Sequence, residues 1–232
     1  MVKVLTVVHE DDAGPGVFVP VAAQRGAELV EWRPPKEPAP ADALDGYAGA
    51  VVLGAAAHPD QEDEHPWLRD VKGLIVGLLD RRVPVLGVCL GAELLAEVTG
   101  GGVAQDPVPH VGWAESRLTE AGRDDPVLGA LPDRFTCFQW HSYACVVPPE
   151  ASVLALDGSR LDAFRIGDAW GIQFHAEVAP GVLNSWLDLL ETHADAEAAG
   201  FEVGPAREES ARRIEDSGRV GSTLFRSFLE LL

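Results

Sequence analysis

The sequence predicts a three-layer, doubly wound α/β fold with a mostly parallel central sheet, a small antiparallel sheet and a C-terminal helical tail. In the first half of the chain, apolar strands alternate with helices, which is typical of a parallel sheet covered on both faces. After residue 102, short strands follow one another, separated by turns such as Gly158-Ser159 and Gly167-Asp168, which favours antiparallel pairing. The remaining segment, from residue 193 onwards, has helical composition interrupted near 200–205 and 218–221.

Each element is predicted from its pattern of apolar residues. Buried strands of the parallel sheet are expected at 2–8, 28–32, 49–53 and 83–88. Helices are expected at 17–25, 66–79, 90–98 and 180–191, and Pro66 suits the first position of its helix. The antiparallel strands are expected at 111–118, 135–138, 143–147, 152–156, 161–166 and 170–174. We interpret 1–192 as one domain and 193–232 as a helical extension packed on that domain.

Composition excludes several classes of function. The chain has 232 residues with 37 acidic and 18 basic side chains, giving a formal net charge of −19. This charge argues against binding to nucleic acid or to an anionic membrane. No apolar run approaches the length of a membrane span, and the first residues lead directly into a strand with no signal-peptide pattern.

Cysteine and histidine usage favours reduced thiols and no metal. Cys89, Cys137 and Cys145 are an odd, sparse set without the spacing of a disulfide framework or a zinc site. No histidine pair has metal-ligand spacing on a helix, so we predict neither a metal nor another cofactor. Reduced thiols indicate a cytoplasmic protein.

The segment around Cys89 predicts a buried strand, a very tight turn and a helix start. Gly87 and Gly91 flank Cys89 and would allow one side chain to stand at the carboxyl end of the strand, as in a nucleophile elbow. A helix N-terminus lowers a thiol pKa, and the thiolate is the attacking form. The alternative is an ordinary core cysteine beside glycines that pack a helix.

A general base for such a thiol is expected at the end of the last strand. His175 follows that strand, and Glu177 lies two residues further on, where it could orient the imidazole. The alternative is a surface His–Glu pair. Of the other histidines, His141 has a suggestive setting, whereas His58 and His65 are interpreted as solvated.

Taken together, these motifs resemble class I glutamine amidotransferases, above all the stand-alone proteins similar to the glutaminase part of GMP synthase. The resemblance covers about residues 45–190 and implies a flavodoxin-like fold. It rests on four motifs in the family's order: Gly-Val-Cys-Leu-Gly around Cys89, Gly112-Trp113, His141-Ser142, and Gly-Ile-Gln-Phe-His-Ala-Glu ending at Glu177.

The resemblance implies a Cys-His-Glu triad. Cys89 would attack the side-chain amide of glutamine, and His175 would protonate the leaving ammonia. Glu177 would orient His175. The backbone N–H groups of Leu90 and Ala55 would form the oxyanion hole.

The resemblance also implies a glutamine-binding site, from which this chain departs. Ser142 and Tyr143 match positions where the family's backbone holds the amino-acid end of glutamine. The family usually has Gln where this chain has Glu93, and an ionised Glu93 would repel a carboxylate, although it could accept from an ammonium. The chain also has Ala55 where the family has the second Gly of Gly-Gly-Pro, and Ala176 where it has Pro.

Three functions follow from these residues. The first is a glutaminase that supplies ammonia to a separate synthetase polypeptide, because the chain contains no phosphate loop or ATP-binding module. The second is a γ-glutamyl hydrolase that uses the same triad on a peptide or amide. The third is a non-catalytic regulatory protein with the same fold.

Overall fold

Nine strands in one mixed sheet form the centre of the molecule. The structure is a computed structural model and describes residues 1–232. The strands are β1 Val2–Val7, β2 Ala27–Trp32, β3 Gly49–Val52, β4 Val85–Val88, β5 Gly102–Leu118, β6 Arg134–Val146, β7 Ser152–Asp157, β8 Arg160–Ile166 and β9 Ala169–Ile172. The helices are α1 Phe18–Gln24, α2 Trp67–Asp80, α3 Leu90–Val98, α4 Glu120–Arg123, α5 Pro180–Leu190, α6 Ala194–Ala199 and α7 Val203–Leu229.

The strand order is β2-β1-β3-β4-β9-β8-β7-β5-β6, and the predicted α/β class is confirmed. Strands β2, β1, β3, β4 and β9 are parallel, and the pairs from β9 to β6 are antiparallel. The antiparallel strands therefore extend the same hydrogen-bonded sheet. Helices cover both faces, and each face has its own apolar cluster.

One strand replaces two predicted ones in the antiparallel half. The expected strands 135–138 and 143–147 join into β6, which pairs with β5 from Gly102–Val146 to Arg117–Arg134. The polar segment between them stays extended because its backbone is paired across the ladder, despite a register shift between Gln105 and His110. The same pairing starts β5 at Gly102, nine residues before the predicted position.

The C-terminal segment has one of its two predicted breaks. Gly200 ends α6 in the left-handed conformation, as expected of a C-cap glycine. Helix α7, however, continues through 218–221 without interruption. A Cβ on Gly221 would lie 1.9 Å from the carbonyl oxygen of Ala176, so glycine serves a close helix-to-loop approach there, not a break.

The parallel topology brings three chain segments to one edge of the sheet. Gly54 follows β3, Cys89 follows β4, and His175 follows β9 by three residues. These strands are neighbours in the sheet, so their carboxyl ends lie side by side. In open α/β sheets, ligands bind in the crevice outside these ends. No helix is long and apolar enough to cross a membrane.

Candidate active site

Cys89 stands on a strained turn between β4 and α3. Its φ of 50° and ψ of −111° make it one of only two non-glycine residues with positive φ, the other being Arg82. The residues two positions before and after Cys89 must be glycine. A Cβ on Gly91 would lie 2.0 Å from the carbonyl oxygen of Val52. A Cβ on Gly87 would lie 2.5 Å from the carbonyl oxygen of Gly91. This turn holds the thiol at the carboxyl end of the strand, which is the geometry of a nucleophile elbow.

Burial, not the helix terminus, dominates the electrostatics of the thiol. Desolvation and the nearby carboxyls of Glu93 and Glu177 raise the pKa of Cys89 well above its usual value, although the Leu90 N–H opposes this. The expectation of a lowered pKa for Cys89 is therefore wrong. The Sγ–H donates to the carbonyl oxygen of Trp140 at 3.8 Å. A neutral thiol needs a base to become a nucleophile.

His175 supplies an imidazole held at both its backbone and its ring. Its Nδ1 lies 2.8 Å from Oε1 of Glu177, and both side chains are buried. Its backbone N–H donates to the carbonyl oxygen of Phe138 at 2.9 Å. No hydrogen bond in the structure uses Nε2, which leaves this nitrogen for a proton transfer. The Trp186 ring packs edge-on, with ring centroids 4.8 Å apart.

Gly54 shows how close the thiol and the imidazole are. A Cβ at this position would lie 3.1 Å from Cε1 of His175 and 3.8 Å from Sγ of Cys89. The thiol and the imidazole thus surround the same small space. Glycine at 54 keeps that space open.

The loop that carries His175 and Glu177 is held from two sides. The Val17 N–H donates to the carbonyl oxygen of Glu177 at 2.8 Å. On the other side, Gly221 of α7 lies against the carbonyl oxygen of Ala176. The distance between the imidazole and the carboxylate is thus fixed by segments far apart in sequence.

Two backbone N–H groups near the thiol, those of Ala55 and Leu90, have no oxygen acceptor in the structure. No hydrogen bond in the structure uses the N–H of Ala55, and the N–H of Leu90 contacts only the Cys89 thiol. The Ala55 loop is fixed by its neighbour Ala56, whose N–H donates to Oε1 of Glu10 at 2.8 Å. Fixed N–H groups beside a thiol that have no oxygen acceptor are able to stabilise a tetrahedral oxyanion.

Glu93 lies one helical turn after Cys89. Its side chain is buried and belongs to a series of hydrogen-bonded side chains that also includes Gln173 and Cys145. Nε2 of Gln173 donates to Oε1 of Glu93 at 2.9 Å, and Sγ of Cys145 donates to Oε1 of Gln173 at 3.1 Å. Burial raises the pKa of Glu93 to about 8, with smaller contributions from nearby carboxylates. At neutral pH the carboxyl is therefore mainly protonated, and it carries a donor as well as an acceptor.

These groups line a cavity of about 450 Å³. Its floor is buried and includes Gly54, Cys89, Glu93, His141, Ser142 and His175. Its mouth is more exposed and includes Glu10, Asp12, Ala55, His58, Trp140, Leu189, His193 and Asp195. The predicted residues Cys89, His175, Ala55, Glu93 and Ser142 thus share one cavity, and Glu177 adjoins it through His175.

One sequence-based assignment differs from the structure, and another stays a prediction. The hydroxyl of Tyr143 donates to Asp60 at 2.9 Å and its side chain does not line the cavity, so the predicted contact through the Tyr143 backbone is unaffected. His58 is half-buried at the mouth, with its ring centroid 4.6 Å from that of Tyr143, so the interpretation of His58 as solvated is wrong. No group of three or more His, Cys, Asp or Glu side chains is arranged to hold a metal ion.

Much of the cavity mouth consists of residues that were not predicted from the sequence. Asp12 follows the first parallel strand, so its position near a strand end was a usable signal. Trp186, His193 and Asp195 come from α5 and the start of α6, which fold over the sheet edge through long-range packing. Nothing in their local sequence indicates this contact.

Comparison with known proteins agrees with this geometry. A sequence model of the family described as "Glutamine amidotransferase class-I" matches residues 21–188. The chain belongs to the class-I glutamine amidotransferase family. This membership confirms the resemblance drawn from the motifs.

Individual members of the family show how much of each protein is shared. The glutamine-hydrolyzing GMP synthase of Aeropyrum pernix is 33% identical over 183 residues, or 75% of this chain, and the match spans only 35% of that protein. The glutamine amidotransferase-like protein YfeJ of Salmonella typhimurium is 29% identical over 205 residues, 86% of each chain. A crystal structure of a glutamine amidotransferase from Thermotoga maritima is 25% identical, with a TM-score of 0.86, covering 99% of this chain and 97% of its own.

Proposed function

We propose that this protein hydrolyses the side-chain amide of glutamine through a thioester on Cys89. The observation that supports this most strongly is the placement of the Cys89 thiol and the His175 imidazole around the same space beside Gly54, with Glu177 paired to the imidazole. Membership of the class-I glutamine amidotransferase family supports the same chemistry.

In the proposed first half-reaction, His175 Nε2 removes the thiol proton as Sγ of Cys89 attacks the amide carbon. The carbonyl oxygen becomes an oxyanion held by the N–H groups of Ala55 and Leu90. When the C–N bond breaks, His175 returns the proton to the nitrogen, and ammonia leaves. Glu177 stabilises the imidazolium that exists between these two steps.

In the second half-reaction, water attacks the glutamyl thioester. His175 accepts a proton from the water and returns it to the sulfur as the C–S bond breaks. The products of the full cycle are glutamate and ammonia. Because burial favours the neutral thiol, proton transfer must accompany each step at sulfur.

The floor of the cavity provides the polar groups for the amino-acid end of the substrate. Ser142 lines the floor, whereas Tyr143 can contribute only its backbone, because its hydroxyl binds Asp60. A protonated Glu93 can donate to the α-carboxylate of glutamine, as the amide of the family's glutamine would. Burial therefore removes the repulsion that an ionised Glu93 would cause.

We further propose that the ammonia is passed to a separate synthetase. The chain spans about a third of the length of the GMP synthase that it matches, so the rest of that relative has no counterpart in this sequence. A cavity mouth that stays open at the sheet edge is accessible to such a partner.

The test is ammonia release from glutamine by the purified protein, together with labelling by a glutamine-like diazo-ketone. Release that disappears in Cys89→Ala supports a glutaminase. Labelling of Cys89 without release supports a glutaminase that requires its partner. Absence of both release and labelling contradicts the proposal and favours a non-catalytic protein.

A γ-glutamyl amide or peptide is the second candidate substrate, with the same chemistry. The exposed mouth beyond the buried floor favours it, since this part of the cavity leaves room for a larger group on the amide nitrogen. Hydrolysis of γ-glutamyl compounds to free glutamate in the absence of any partner would distinguish this function from ammonia supply.

Gly54→Ala is expected to reduce turnover while the fold is retained. The added Cβ would lie 3.1 Å from His175 and 3.3 Å from the Cβ of Cys89, so both must shift by a few tenths of an ångström. Misplacement on this scale lowers kcat by about 10- to 100-fold. Gly73→Ala is the matched control, because no atom lies within 4 Å of its added Cβ. Equal kcat values for the two variants would contradict the assigned geometry.

A further inference from the structure

The mouth of the cavity carries three carboxylates and no Lys or Arg side chain, and Nδ1 of His193 lies 3.6 Å from one oxygen of Asp195. Glu10, Asp12 and Asp195 line it, and no Lys or Arg is among the residues around the cavity. Two basic residues, Arg33 and Lys36, form ion pairs with Asp11 on the exposed surface outside the cavity. We call Glu10, Asp12 and Asp195 the acidic mouth.

The acidic mouth has spare acceptor oxygens. The carboxylate of Asp12 makes no hydrogen bond or ion pair, since only its backbone carbonyl is used, by Nε1 of Trp186. One oxygen of Asp195 accepts from Nε1 of Trp140 at 3.1 Å, and the other is free. Glu10 uses one oxygen for the Ala56 N–H. These fixed carboxylates can accept hydrogen bonds from an ammonium group.

Aromatic rings stand beside these carboxylates. Trp140 packs edge-on against Trp186 and His193, with ring centroids 5.7 and 5.3 Å apart. A cation near an indole face gains a cation–π attraction in addition to its ion pairs. Carboxylates together with indole rings form a surface suited to an alkylammonium ion.

The buried floor independently indicates that a ligand occupies this cavity. His175 is 4% exposed and its Nε2 has no partner. Glu93 is 3% exposed, and only one of its carboxyl oxygens is hydrogen-bonded. With the glutamyl group bound at this floor, the group on the amide nitrogen extends toward the acidic mouth.

We propose that this protein also hydrolyses γ-glutamyl amides whose amine portion carries a second, positively charged amino group. The inference rests on the proposed thioester chemistry and names a further substrate class for the same site. The amide C–N bond breaks as the Cys89 thioester forms, and His175 protonates the departing nitrogen. Water then releases glutamate, so one water is consumed for each diamine and glutamate produced.

The test compares three γ-glutamyl amides of equal length and different charge. Their amines are 1,3-diaminopropane, n-butylamine and β-alanine, which end in an ammonium, a methyl and a carboxylate group. We expect kcat/KM for the diamine amide to exceed that for the butylamide by at least about fivefold, from ion pairing and cation–π attraction. The β-alanine amide should be the poorest substrate.

Matched variants test whether the acidic mouth causes the preference for the diamine amide over the butylamide. Asp12→Asn and Asp195→Asn should each reduce the ratio of diamine to butylamide kcat/KM at least about twofold. Asp11→Asn removes the same charge one residue away, outside the cavity, and should leave that ratio unchanged. Added salt should lower the ratio in the wild-type protein.

The outcomes separate this inference from the function on which it rests. Equal rates for the three amides, a preference for another amide, or hydrolysis of glutamine alone would overturn the inference and leave the thioester chemistry standing. A preference unaffected by Asp12→Asn and Asp195→Asn would also overturn it. No hydrolysis of any amide or of glutamine, combined with no labelling of Cys89, would overturn both.

Discussion

Cys89→Ala should lower the rate of amide hydrolysis by about a thousandfold or more, because the proposed mechanism has no other nucleophile. The variant should fold, since it removes one buried sulfur and keeps the backbone. Cys89→Gly should be equally inactive and about 1 kcal/mol more stable than Cys89→Ala, because glycine relieves the positive φ of 50°. Steady-state kinetics and thermal unfolding measure these two effects.

Cys137→Ala provides the control for loss of a buried thiol. Cys137 lies in the apolar core and does not line the cavity. This variant should keep its activity and its reaction with the diazo-ketone, and lose only some stability. Substantial turnover by Cys89→Ala, or labelling at Cys137 in its place, would show that the nucleophile is assigned wrongly.

Glu93→Gln should stabilise the protein by roughly 4–5 kcal/mol at pH 8 and above, and hardly at all near pH 4. The folded pKa of about 8 lies above the ordinary value of 4.5. Below pH 4.5 the carboxyl is protonated in both states. As pH rises from 4.5 to 8, the unfolded chain ionises first, so the wild-type protein progressively loses stability relative to the variant. Denaturant unfolding at pH 5 and pH 8 measures this change.

The same substitution tests how Glu93 contacts glutamine. At pH 7 the protonated carboxyl and the amide of Gln present similar donors and acceptors, so kcat/KM should differ by less than about threefold. At pH 9 the wild-type carboxyl is mainly ionised, and kcat/KM should fall about tenfold relative to Glu93→Gln. A large loss in Glu93→Gln at pH 7 would instead show that the carboxylate binds the substrate ammonium.

Glu97→Gln is the control for Glu93→Gln. Glu97 lies one turn further along α3, half-buried, and forms an ion pair with Lys72 outside the cavity. Its substitution removes one of the smaller contributions to the raised pKa of Glu93, so it should move the pH dependence of glutamine hydrolysis slightly to lower pH, and far less than Glu93→Gln changes it. A similar change in both variants would point to the charge of the helix as a whole.

The sequence was sufficient for features that depend on local spacing. Gly87 and Gly91 around Cys89 predicted the tight turn, and the alternation of apolar strands and helices predicted the parallel sheet, since both are encoded within a few residues. The joined strand β6 could not be predicted, because residues 139–142 are extended only through pairing with β5. Neutralisation of Glu93 was equally inaccessible, since it results from burial by residues distant in sequence.

Some residues at the cavity mouth are placed by local sequence and others by long-range packing. Asp12 could be placed by its proximity to a strand end, whereas His193 and Asp195 reach the mouth through the packing of α5 and α6. Likewise, Gly218 and Gly221 predicted a helix break by composition alone. The structure uses Gly221 for close contact with Ala176, a role that only tertiary structure reveals.

The contact between Gly221 and Ala176 has a consequence for folding during synthesis on the ribosome. Cys89 emerges long before Gly221, yet the loop between His175 and Glu177 rests on α7. While residues 203–229 remain inside the exit tunnel, the loop that carries His175 lacks the support of α7. Synthesis order therefore delays complete assembly of the candidate site until the final helix has docked.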